Sequence, residues 1–157
     1  MTLDELIAKL NAASDAVPGL ILKHTEGAAL GALALVDLRI TEQGTNANGA
    51  AFQDYTPSYK KAKTKAGRYR GKVDFSLSGQ MLASTTTGFE RIAPTERTIS
   101  GGRAKVKFDG RDQLTRDKLS GNNKTRPGFM NPSKSEIEMV TVSANEGLSR
   151  DIAEILK

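Results

Sequence analysis

The chain has 157 residues, a net charge of +5, no cysteine or tryptophan, and 38% hydrophobic residues that include only five Phe and three Tyr. That length predicts one domain, here 1–157, and the missing cysteines exclude disulfides, thiolate catalysis and cysteine-based zinc sites. No apolar run approaches the roughly 18 residues that cross a bilayer, and the acidic start at Asp4 and Glu5 lacks the basic opening of a signal peptide, so no membrane partner and a cytoplasmic site of synthesis are expected.

Thr2-Leu3-Asp4-Glu5 is a capping box, and Leu3, Ile7 and Leu10, with Leu6 alongside, recur at helical spacing after it. Pro18-Gly19 predicts an interruption, because proline lacks an amide donor and disfavours helix in the residue before it. A second helix is expected from about 20 to 35, with Gly27 and Gly31 four apart on one face. Val36–Thr41 reads as a strand leading into the turn Gly44-Thr45-Asn46-Ala47-Asn48-Gly49.

Three aromatics follow the strand, Phe52, Tyr55 and Tyr59, and then a run containing Lys60, Lys61, Lys63, Lys65, Arg68, Arg70 and Lys72, with Tyr69 inside it and no acid. Removing those seven charges from the net +5 leaves the remainder at −2, so the basicity is local and points to an acidic or polyanionic partner. Few aliphatics and many Gly, Asn and Lys predict a long extended basic loop at about 44–72, a flexible arm outside the core.

Leu77, Met81 and Leu82 have helical spacing, with Ser76 or Ser78 as a cap. Residues 85–93 and 98–108 are rich in threonine and β-branched side chains, and Pro94–Arg97 reads as the turn of a hairpin between them. Residues 112–119 suggest a short helix or an irregular segment, and Gly121–Gly128 a loop. From Ser135, Ile137, Val140, Ala144, Leu148, Ile152 and Ile155 step as one helix to Leu156. The expected class is α+β, with helices at both termini packed on a small antiparallel β-sheet.

No catalytic constellation emerges. His24 is the sole histidine and reads as a helix-surface residue, the acidic pairs sit at helix starts, and the Gly44–Gly49 turn lacks phosphate-loop spacing. No enzyme activity, metal or cofactor is expected.

The order of these features resembles the virion-morphogenesis and tail-completion proteins of tailed bacteriophages. The similarity rests on Gly49, Phe52, Tyr55, Tyr59, Lys60, Lys61 and Lys63, then Leu77, Ser78, Gly79, Met81 and Leu82, then Arg126, Pro127, Ser133 and Glu136. Each motif is degenerate, but their order holds over nearly the full chain. Gly128 departs from the pattern, with Phe129 one step later in the aromatic role, and so does the Pro18-Gly19 break. The resemblance implies a ring subunit in the neck or connector of a virion, made in the host bacterial cytoplasm. Its partners would be copies of itself and adjacent portal-side or tail proteins, with the arm at protein contacts or in non-specific contact with DNA in the channel. Leu77, Met81, Leu82, Arg126, Pro127 and Phe129 would make core or subunit contacts. A small nucleic-acid-binding module using the tyrosine-containing arm is the alternative.

Overall fold

A computed structural model describes residues 2–74, 92–101 and 103–157. The Leu77, Met81 and Leu82 expectations lie outside these residues. Among them, four α-helices and a two-stranded antiparallel sheet, with helices at both termini, give an α+β fold.

Helix α1 spans Leu3–Leu38 without a break, opening on the expected capping box. The predicted interruption at Pro18-Gly19 is absent. Ser14, Asp15, Pro18 and Gly19 all face solvent, so water can serve the carbonyl that proline leaves unbonded, and packing on either side holds the helix together. The expected strand over Val36–Thr41 is also helical. Val36 and Ile40, four apart, are both buried on one face, and a π-helical turn over Arg39–Gln43 closes α1. The turn ends at Gly44, whose φ of 66° is left-handed, and a Cβ there would meet Lys72 Cβ at 3.1 Å. By length and composition α1 is apolar enough to cross a membrane, with a stretch of mean hydropathy 1.2, against the reading of isolated apolar runs. Lys23 and Glu26 in its middle, however, form ion pairs with Asp151 and Arg97.

Helix α2 (Pro57–Lys65) lies inside the segment expected to be an extended loop. Strands β1 (Ile92–Ser100) and β2 (Arg103–Gly110) pair from Ile92↔Gly110 to Ser100↔Arg103. The hairpin turns at Gly101, φ 57°, and not at Pro94–Arg97. Pro94 lies inside β1 beside a β-bulge before Glu96, where an interrupted ladder tolerates a residue with no amide proton. Arg97 clamps this hairpin to α1 through a two-pronged contact with Glu26, at 2.6 and 2.7 Å.

Helix α3 (Gln113–Thr125), capped by Asp112, runs six residues past the expected end, replacing much of the expected loop. Asn122 there donates to the Lys118 carbonyl at 2.9 Å and keeps its amide inside the helix. Helix α4 (Lys134–Leu156) begins on the Ser133–Glu136 capping box and matches its expected extent.

Helices α1 and α4 run antiparallel, as the Lys9–Leu156, His24–Asp151 and Arg39–Glu136 contacts show in turn. His24 is not a plain surface residue. Its side chain is 18% exposed, and its Nε2 lies 3.0 Å from Asp151. Gly147 makes room for it, since a Cβ there would fall 2.6 Å from His24 Cε1. Of the two α1 glycines, Gly31 sits against Val140, at 3.3 Å from an added Cβ, while Gly27 faces open space. Gly147→Ala should therefore lower stability by about 1 kcal/mol, overpacking outweighing the gain in helix propensity. Gly27→Ala should raise it by up to about 1 kcal/mol. Thermal melts of the two variants check this pair, and equal effects would contradict the close approach at Gly147.

Among the described residues, the central core holds Val36, Ile40, Val73 and Phe129, with Phe52, Tyr55, Leu119 and Met130 packed against it. Near the end of α1 in this region, Asp37 is half-buried and its Oδ1 is sequestered without a hydrogen bond. Burial pushes its carboxyl above the ordinary range. A raised folded pKa favours the protein below the unfolded pKa, and that benefit is lost as pH rises through the folded value. Asp37→Asn should thus stabilise at neutral pH, by under about 1 kcal/mol because half the group stays solvated. The gain should vanish below about pH 4. A pH series of melting temperatures reads this out, and an equal effect at every pH would contradict it.

Candidate interaction site: the anchored basic segment

The segment after Gly44 is shaped first of all by local hydrogen bonds along the chain. Asn46 Oδ1 accepts from the amides of Asn48 and Ala50, Thr45 bridges to Ala51, and the Phe52 amide donates to the Gly44 carbonyl at 3.2 Å. This Asx-type turn brings Phe52 and Tyr55 onto the core. Pro57 then starts α2, where its missing amide costs nothing.

Two acids flank the basic run, and they decide where its lysines go. Lys63 is fully buried and forms an ion pair with Asp74, itself 1% exposed. Tyr55 closes the group. Its hydroxyl donates to Asp74 Oδ1 and accepts from the Asp74 amide, both at 3.1 Å, and the Lys63 ammonium lies 4.8 Å from its ring centre. Tyr59 stacks at a tilt on Tyr55, centroids 4.9 Å apart, and burial followed by the Asp74 charge pushes its hydroxyl pKa up. Lys60 binds Asp54 at 2.7 Å and sits 5.0 Å from the Tyr69 ring centre. The Lys60 bond holds the Asp54 carboxyl low, and Asp54 together with Tyr69 raises the Lys60 ammonium. Lys72 binds the Glu42 carbonyl at the end of the π-turn.

Arg126 completes the site from 73 residues away. It donates to the Gln53 carbonyl at 2.8 Å, and its guanidinium carbon lies 5.8 Å from the Tyr55 ring centre. Beyond it, Pro127 is exposed, Gly128 takes a left-handed φ of 70°, and Phe129 drops into the core at 2% exposure. A second clasp lies next to this one. Arg39 donates to Glu136 Oε1 at 2.8 Å, to the Thr45 carbonyl at 2.7 Å and to the Asn131 carbonyl at 2.9 Å.

The seven basic residues therefore divide. Lys63 and Lys72 tie the segment to Asp74 and Glu42, Lys60 braces it internally on Asp54 and Tyr69, and Lys61, Lys65, Arg68 and Arg70 are exposed. Lys61 and Lys65 lie one turn apart on α2 and make no ion pair with any described residue. The expectation of a free arm fails at Lys63 and Tyr55. The run itself holds no acid, but Asp54 and Asp74 border it, and that flanking pattern is the signal a charge count within the run misses. Arg39 and Glu136 carried no such signal, because their pairing depends on how α1 meets α4.

An apolar cleft of about 340 Å³ opens beside the core, among Leu33, Phe108, Leu119 and Met130. Among the described residues, no group of three or more His, Asp or Glu side chains is arranged to hold a metal ion. Comparison with protein-family models, curated proteins and solved structures finds no match for this chain.

Proposed function

We propose that the chain is a structural, non-enzymatic subunit of a tailed-phage particle, part of a ring in the neck between portal and tail. The observation that carries this reading is the convergence of residues on which the resemblance rests. Phe52, Tyr55, Tyr59 and Lys63 from one end of the pattern meet Arg126 and Phe129 from the other in a single cluster at the core. A pattern spread over more than seventy residues thus corresponds to one packed unit, which favours a shared fold over a chance series of degenerate motifs.

The same cluster weighs against a dedicated nucleic-acid module. Stacking on bases needs free aromatic faces, whereas Tyr55 is taken up by Tyr59, Lys63 and Arg126, and Tyr69 by Lys60. What remains outside, chiefly Lys61, Lys65 and Arg70, suits an acidic neighbouring protein or weak, salt-sensitive contact with passing DNA.

Disabling the gene in its parent genome and viewing the lysate by negative-stain electron microscopy tests the proposal. Unjoined DNA-filled heads and free tails are expected. Normal joined particles would overturn it.

A further inference from the structure

We propose that the cleft beside the core binds a peptide segment of another protein, taking one large apolar side chain between its walls and holding the peptide group that carries it between Asp109 and Asn123. The inference stands apart from the ring-subunit reading, because it rests on the residues of this one site.

The cleft forms where α1, β2 and α3 meet. Leu33, Phe108, Leu119 and Met130 supply apolar wall, backed by the buried Ile92 and Phe129. Its volume of about 340 Å³ lies at the small end of ligand sites, which run from about 300 to 1,000 Å³. That is room for a side chain of leucine or aromatic size with its peptide group, not for a large cofactor. Met130, unbranched and adaptable, lets the wall adjust to the shape of its guest.

Three polar residues interrupt the apolar wall, Asp109, Ser120 and Asn123, and all three are exposed. Asp109 Oδ1 accepts from the Gly110 amide at 2.7 Å, while its second oxygen has no hydrogen-bond partner among the described residues. Asn123 Oδ1 accepts from the Gly128 amide at 2.9 Å. That bond fixes which end of the Asn123 amide is oxygen, so its NH₂ is the end left to donate. Ser120, three residues earlier on the same face of α3, adds a hydroxyl that serves in either role. The site therefore offers a charged acceptor and a donor beside apolar walls.

A peptide group is the complement of that pair, since its N–H donates and its C=O accepts. A purely apolar guest would strip water from Asp109 and give it no partner. A fatty acid or another anion would set like charge beside it. The exposed polar residues also leave the cleft open to a second molecule.

Titration of the full, isotope-labelled chain with N-acetylphenylalaninamide, followed through amide NMR shifts, tests the site. Saturable shifts at Phe108, Leu119 and Met130 are expected, with a roughly millimolar Kd for a ligand of this size. N-acetylglycinamide keeps the peptide groups without the side chain and should bind at least about tenfold more weakly. Toluene keeps the ring without the peptide groups and should bind about fivefold more weakly. Ser120→Trp, at an exposed position of the wall, should abolish the shifts, and Asp109→Ala should weaken binding about fivefold. Melting curves confirm that both variants are folded. No saturable shift would overturn the proposal, as would shifts indifferent to Ser120→Trp. Toluene binding as tightly as the peptide would also overturn it, assigning the cleft to an apolar small molecule. The same shifts on concentrating the chain alone would overturn the assignment to another protein and give the cleft to a second copy. Normal particles in the lysate experiment would leave this site standing, and a failed titration would leave the particle-joining role to that experiment.

Discussion

Lys63→Met is expected to destabilise the protein by about 3–5 kcal/mol, because it strands Asp74 as a buried charge without its cation. For a chain of this length that is a fall in melting temperature on the order of 10 °C. Asp74 would keep the Tyr55 hydroxyl, which is a weaker partner than an ammonium. Replacing both partners, Lys63→Met with Asp74→Leu, should recover much of the loss, since an apolar pair of similar volume carries no desolvation penalty. Lys61→Glu, two positions away and exposed, should change stability by less than about 0.5 kcal/mol. Chemical denaturation of the four proteins measures all of this. Equal, small effects at positions 61 and 63 would return the whole basic run to solvent.

Arg39→Met should cost a similar amount, about 3–5 kcal/mol, for a related reason. Its side chain is 8% exposed and serves three acceptors at once, so its loss leaves Glu136 and two backbone carbonyls without their donor. Glu136 also gives the defect a pH signature. Burial pushes its carboxyl up, but hydrogen bonds from Arg39 and Ser133 outweigh that and hold it below the ordinary glutamate value of 4.5. A depressed folded pKa contributes stability that is present above the unfolded value and lost as pH falls through the folded one. The gap between variant and wild type should therefore be widest near neutral pH and shrink below about pH 4. A gap independent of pH would mean that the lost contacts to Thr45 and Asn131, and not the Glu136 charge, set the cost.

Helix α4 was legible from end to end because its apolar steps of three and four begin on a capping box, so local and tertiary preferences agree. The start of α1 was legible for the same reason. Pro18 misled because a local penalty of about 3 kcal/mol is small beside packing along a 36-residue helix, and the faulted carbonyl faces water. The hairpin was expected, but its turn was placed at a proline instead of at Gly101, where a left-handed φ makes glycine the natural residue. In the basic segment the turn chemistry and the aromatics were visible, and the anchoring was not. Asp54 and Asp74 lie just beyond the run, and only the fold shows that Lys63 points inward while Lys61 does not.

That division of one charge run into a buried anchor and an exposed face is tested most directly by native-state hydrogen exchange of the full chain. If Lys63, Asp74 and Tyr55 bind the segment into the core, amides in the second half of α2 and at Asp74 should exchange slowly, close to those around Ile40. Exchange of those amides at the rate of an unstructured peptide, with Ile40 still protected, would contradict the anchored segment and restore a free basic arm.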